Sequence, residues 1–154
     1  AEFVNKEGLF RAVLDRYIAR FAARHEALLF DEEKSVDRAL RDYFTAVATC
    51  FTSKETPAGC FMINTSAALA AASTDIANTV KSRHAMQEQT LTQFLQQRQL
   101  RGELPPDGDV RQLAQFLNCI LQGMSISARE GADFTKIMQI AETTLRLWPQ
   151  VLQR

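Results

Sequence analysis

The stretch Leu113-Ala114-Gln115-Phe116-Leu117-Asn118-Cys119-Ile120-Leu121-Gln122-Gly123-Met124 sets apolar side chains around most of the circumference of a helix. Asp109 ahead of it is an N-cap, and Gly131-Ala132-Asp133 supplies a break with a fresh cap behind it. The next helix carries Phe134, Ile137, Met138, Ala141, Leu145 and Trp148 on one stripe and Ile140, Thr144, Leu147 and Val151 on a second. A helix apolar all round has to be covered on both sides. Such a pair is either central in a monomer or shared between two copies. Six predicted helices in 154 residues leave little protein to wrap two central ones. The expectation is therefore a homodimer joined through a two-fold symmetric four-helix bundle. Its interface would hold Phe116, Ile120, Gly123, Ser127, Ile140, Thr144, Leu147 and Val151, with Gly123 and Ser127 allowing close backbone approach.

Outward from this pair, the rest of the chain also reads as helix. After Asn5, a plausible cap, the residues Leu9, Phe10, Val13, Leu14, Tyr17, Ile18, Phe21, His25 and Leu28 recur at three- and four-residue intervals. Asp31-Glu32-Glu33 separates this helix from a second one, capped by Ser35, with Val36, Leu40, Tyr43, Phe44, Val47, Cys50 and Phe51 as its stripe. Thr56-Pro57-Ala58-Gly59 is read as its stop. Cys60 to Ile63 is an apolar run too short to assign by period, and Asn64-Thr65-Ser66 caps a short Ala-rich helix, 67–72. A long helix then starts at Ser73-Thr74-Asp75 and ends at Gly102.

Composition agrees with an all-α domain. Hydrophobic residues make up 46 % of the chain, while Gly (6) and Pro (4) are scarce. Eighteen basic residues balance eighteen acidic ones, which argues against nucleic-acid binding by this segment itself. No apolar run approaches the roughly 20 residues that span a bilayer, and no signal-peptide pattern opens the sequence. Cys50, Cys60 and Cys119 are odd in number and widely spaced, which fits free thiols in a cytoplasmic protein.

Three stretches carry a resemblance. Phe3-Val4-Asn5-Lys6-Glu7-Gly8-Leu9-Phe10 resembles the segment that closes the DNA-binding domain of TetR/AcrR-family regulators. Gly59-Cys60-Phe61-Met62-Ile63-Asn64 is similar to the entry of a short helix in one branch of that family. Leu117 to Asp133, with Leu121-Gln122-Gly123-Met124 and Ala128-Arg129-Glu130-Gly131-Ala132-Asp133, resembles a later helix and the turn beyond it. The resemblance implies a bacterial regulator and the last six of nine helices. Residues 1–4 would be the remnant of a helix-turn-helix domain and residues 5–154 a ligand-binding and dimerisation domain. It further implies that the DNA-binding head is missing from this sequence, and that operator DNA would be met only through that head.

Support for enzymatic chemistry is slight. No Glu-x-x-His pair, His-Glu-x-x-His or phosphate-binding Gly-rich loop is present, and the two histidines, His25 and His84, fall on different helices. Neither a cofactor nor a metal site is expected. The stronger signal is polarity inside apolar stripes: His84 and Gln87 on the long helix, and Asn118 within the apolar run quoted above. Buried polar groups need partners, so these are either satisfied core groups or anchors facing a cavity. The second reading gives a site for a small hydrophobic or mixed-polarity effector, walled by Tyr17, Phe21, Phe44 and Phe51. Resemblance puts this pocket among the same helices and adds Asn64 to its lining. Cys60, after Gly59 at a possible helix entrance, is a redox or electrophile-sensing candidate, with a small apolar packing role as the plainer reading. A helical interaction module without a ligand is the remaining alternative.

Overall fold

The computed structural model describes residues 8–9, 12–13, 16, 18–53 and 74–153. Residues 1–4, Tyr17, Cys60, Asn64 and the predicted helix 67–72 lie outside them. The described elements are a π-helical turn, Ile18–Ala22, followed by α1 (Ala23–Leu29), α2 (Val36–Phe51), α3 (Thr74–Leu100), α4 (Val110–Arg129) and α5 (Phe134–Val151). Among the described residues there is no strand.

Helix boundaries follow local chemistry closely. The Ser35 hydroxyl accepts from the Arg38 N–H at 3.1 Å, Asp109 Oδ1 from Gln112 at 3.0 Å, and Asp133 Oδ1 from Lys136 at 2.9 Å. Each such cap contributes about 1 kcal/mol. Gly102 and Gly131 follow α3 and α4 with φ of 82° and 102°, a left-handed conformation that a Cβ would strain.

Two boundaries depart from the sequence reading. The first helix was expected to be regular, yet Ile18–Ala22 is a π-turn. One extra residue in a turn moves an apolar stripe by less than one position, so three- and four-residue spacing does not register it. The second helix ends at Phe51 rather than at Pro57. There the Thr52 hydroxyl donates to the Ala48 carbonyl at 2.8 Å and Ser53 N–H to Cys50 at 3.3 Å, closing the last turn before proline acts.

The core forms where α2, α3, α4 and α5 meet. Phe44, Leu91, Phe94, Leu95, Leu117, Leu121, Met124 and Ile137 are fully buried in it. Each such side chain contributes roughly 1.5–3 kcal/mol through burial. α3 packs along α4, and α5 packs against both α2 and α4. The C-terminal half of α3 is strongly apolar inward, through Leu91, Phe94 and Leu95. Arg98 continues that inward face although it is charged. Only 3 % exposed, it donates to the backbone carbonyls of Lys34 and, at 2.8 Å, Asp31, and pairs with Glu103 at 3.0 Å. Its guanidinium lies 5.4 Å from the Phe94 ring centroid, and Arg101 donates to the Glu32 carbonyl at 2.9 Å. The end of α3 is thereby fastened to the turn between α1 and α2.

Candidate effector site

α4 carries Asn118 on its inward face, 4 % exposed. Its amide nitrogen donates to the backbone carbonyl of His84 on α3, a long bond of 3.4 Å. The other amide atom, Oδ1, is buried and has no hydrogen-bond partner. The imidazole Nε2 of His84 is in the same condition. Burial also pushes the His84 pKa below its ordinary value of 6.5, so the ring is neutral at pH 7. One turn along α3, the Gln87 amide donates to the Tyr43 hydroxyl of α2 at 3.3 Å. Three helices thus bring four polar side chains to one side of the apolar core.

The sequence singled out three of these four. Tyr43 was read as part of the apolar stripe of α2, where its ring does pack edge-on to Phe44 at 6.0 Å. A hydroxyl on a buried stripe needs a partner, and that was the signal for it. Phe44 and Phe51, expected as walls, are buried in the core cluster shared with Leu91 and Leu117. Phe21 stands on the π-turn, with the Arg20 guanidinium 5.3 Å from its ring centroid. Tyr17, Asn64 and the redox candidate Cys60 fall outside the described residues. Among the described residues no group of three side chains is arranged to hold a metal ion.

A second feature lies on the outside of α4 and α5. Phe116, Ile120, Ser127, Ile140 and Val151 are half-buried, and Leu147 is 45 % exposed. Gly123 is exposed, and a Cβ built on it would meet nothing within 4 Å. Seven of the eight predicted interface residues therefore keep surface open on one chain. Thr144 does not: it is 3 % exposed, and its hydroxyl donates to the Ile140 carbonyl at 2.9 Å. Satisfied by its own helix, it packs inward beside Ala141 and Leu145 and not on the outer stripe.

The described helices thus combine a polar, incompletely bonded inner face with an open apolar outer face. The family profile of the tetracyclin repressor-like C-terminal domain matches residues 35–143, and the chain belongs to that family, the TetR-type transcriptional regulators. Within it, the chain is 73 % identical over 153 residues to the HTH-type transcriptional repressor ComR of Escherichia coli (strain K12), covering 99 % of this chain and 73 % of that protein. Among solved structures it is similar to a cysteine-substituted TetR family regulator, CifR, complexed with a 26-bp double-strand operator DNA: TM-score 0.85, 25 % identity, 96 % of this chain and 76 % of that one. A putative TetR regulator from Rhodococcus sp. RHA1 shares the fold at a TM-score of 0.70 and 24 % identity, over 96 % of this chain and 78 % of that one. These relatives are transcriptional regulators and not enzymes, and so is this chain. No described helix is long and apolar enough to cross a membrane.

Proposed function

We propose that the chain is the effector-sensing and dimerisation part of a bacterial repressor that leaves its operator when a small molecule enters between α2, α3 and α4. The observation that carries this reading is the pair of buried, unpartnered atoms Asn118 Oδ1 and His84 Nε2. A fold held together only for its own stability bonds such groups, because each one left bare costs about 1–3 kcal/mol. A cost retained at a three-helix junction fits a group kept for a ligand. The relative CifR is complexed with operator DNA, and operator binding is carried over to this regulator from that likeness; the expectation that a DNA-binding head is missing finds no support.

Signal transfer follows from the connections. An effector bound on α3 and α4 favours one placement of α3, and it shifts the equilibrium only by its differential affinity for the two placements. Arg98 and Arg101 fasten the end of α3 to the turn after α1. Movement of α3 is thereby carried into α1 and the π-turn ahead of it. The outer stripe around Gly123 pairs with its symmetry mate, so that two such sensors move together.

Native mass spectrometry of the purified chain tests both halves of this reading. The expected result is a dimer, reduced to a folded monomer by Gly123→Arg, since the added side chain meets only open space within one protomer. A monomeric wild type, or a Gly123→Arg dimer of unchanged strength, would overturn the assigned interface. Any small molecule retained per protomer should be lost from Asn118→Leu.

A further inference from the structure

We infer that the effector is a neutral, hydroxyl-bearing molecule on an apolar body, an alcohol or a phenol rather than a carboxylate or an amine. This rests on the effector-site reading above and follows from the chemistry of the two free atoms. Asn118 has its orientation set by the bond from its amide nitrogen to the His84 carbonyl, so the atom left over is the oxygen, an acceptor. The ligand must donate to it. The residue whose backbone carbonyl Asn118 bonds, His84, also presents one ring nitrogen that is buried and unpartnered. A hydroxyl holds one donor and two lone pairs, so a single group donates to Asn118 Oδ1 and, with the imidazole in the tautomer protonated at Nε2, accepts from His84. A carbonyl group has no donor for Asn118.

Among the described residues, the charges on the helices around the pair are themselves paired or turned to the surface. Between Arg111 and Arg129, α4 carries no ionisable side chain except Cys119, which is exposed. On α2, Asp42 is paired with Lys34 at 2.8 Å and with Arg38 at 3.3 Å, and Arg41 is paired with Glu142. On α3, Lys81 is exposed, and the Arg83 guanidinium is turned to the surface, 3.7 Å from the sulfur of Met86, which is itself 52 % exposed. An anion at this junction would give up water without meeting a buried cation among the described residues, a cost that neutral groups do not repay. Glu88, one turn beyond His84, is half-buried and makes a cationic ligand the competing outcome. The apolar body of the ligand would lie toward Phe44, Leu91 and Leu117, the core side of the junction.

Four probes of one size separate the cases: phenol, toluene, benzoate and benzylammonium, titrated into the 154-residue chain and into Asn118→Leu. Binding is followed through the side-chain NMR signals of His84 and Asn118. Phenol should shift both signals saturably and bind about tenfold more weakly to Asn118→Leu, the loss expected for one hydrogen bond. Toluene should not distinguish the two proteins, and the two ions should bind at least about tenfold more weakly than phenol. Asn118→Ser, too short to reach the ligand, should repeat the loss if the leucine variant does not fold. Benzoate or benzylammonium binding as well as phenol, or phenol indifferent to both variants, overturns the proposed ligand class and leaves the site standing. If none of the four moves either signal at saturating concentration, the orphan pair holds water only and the effector-site reading falls with it.

Discussion

Arg98 and the His84–Asn118 pair are both polar groups drawn into the same core, two of the three on the same helix, and they are treated in opposite ways. Arg98 brings a full charge to 3 % exposure and finds partners for it: two backbone carbonyls, a carboxylate and an aromatic face. Asn118 and His84 bring no charge and are still left with one bare atom each. Satisfying a neutral amide is the easier task, so the difference is not one of feasibility. At the C-terminal end of α3 polarity fixes a turn in place. Fourteen residues earlier in the same helix, at His84, it is left open. The contrast separates a polar group that holds the fold from one that the fold holds in reserve.

The largest effect should come from breaking the satisfied end. Arg98→Ala leaves the Asp31 and Lys34 carbonyls without their donor and removes the partner of Glu103, which is itself partly exposed and regains water. Deleting one member of a buried charged network costs about 3–5 kcal/mol. Urea denaturation should show an unfolding free energy lowered by that much, with the α1–α2 turn exchanging amide protons faster than α4. Arg98→Met should recover little, because the stranded carbonyls belong to the backbone and no apolar side chain reaches them. A variant as stable as the wild type would mean that the bonds to the turn are ornamental.

The open end should respond with the opposite sign. Asn118→Leu removes a buried acceptor that has no partner and gives up only the long 3.4 Å bond to a helix carbonyl. Exchanging an unsatisfied amide for an apolar group of similar shape should stabilise the chain by about 1 kcal/mol, or roughly 2–4 °C in Tm at this size. Thermal unfolding of the ligand-free chain measures it. A decrease instead would show that Asn118 is fully bonded, and the comparison with Arg98 would then collapse into two structural groups.

The sequence makes one of these two ends visible and hides the other. His84, Gln87 and Asn118 stand out because each interrupts an apolar period at which a hydrophobic residue would have fitted. Arg98 does not stand out, because Gln96-Gln97-Arg98-Gln99 has the composition of a solvated face. Its burial is decided by the turn at 31–34, more than sixty residues away, which no local pattern encodes. Thr144 misleads for a related reason: on a helix apolar on two sides, periodicity gives two stripes without saying where the inner one ends. The caps at Ser35, Asp109 and Asp133 were readable because a cap is a transaction within four residues. The π-turn at Ile18–Ala22 was not, since it shifts the stripe without interrupting it.

The smallest effect concerns acid. Burial pushes His84 below 6.5, and His25 is lowered first by burial and then by Arg24 beside it. In the unfolded chain each histidine takes up a proton as the pH falls through about 6.5, while in the fold each resists it. Their contribution is therefore complete above pH 6.5 and is lost as the pH falls through the depressed folded values. Glu26 acts in the other direction: burial raises its pKa above 4.5, so its contribution is complete below that value and lost as the pH rises through the raised one. Between pH 7 and 5 the two histidines should dominate, and urea midpoints should fall across that interval. His84→Gln should flatten part of the slope, leaving the share of His25. A slope unchanged by that substitution would place the acid sensitivity on α1 alone and remove neutrality of the imidazole as a property of the effector site.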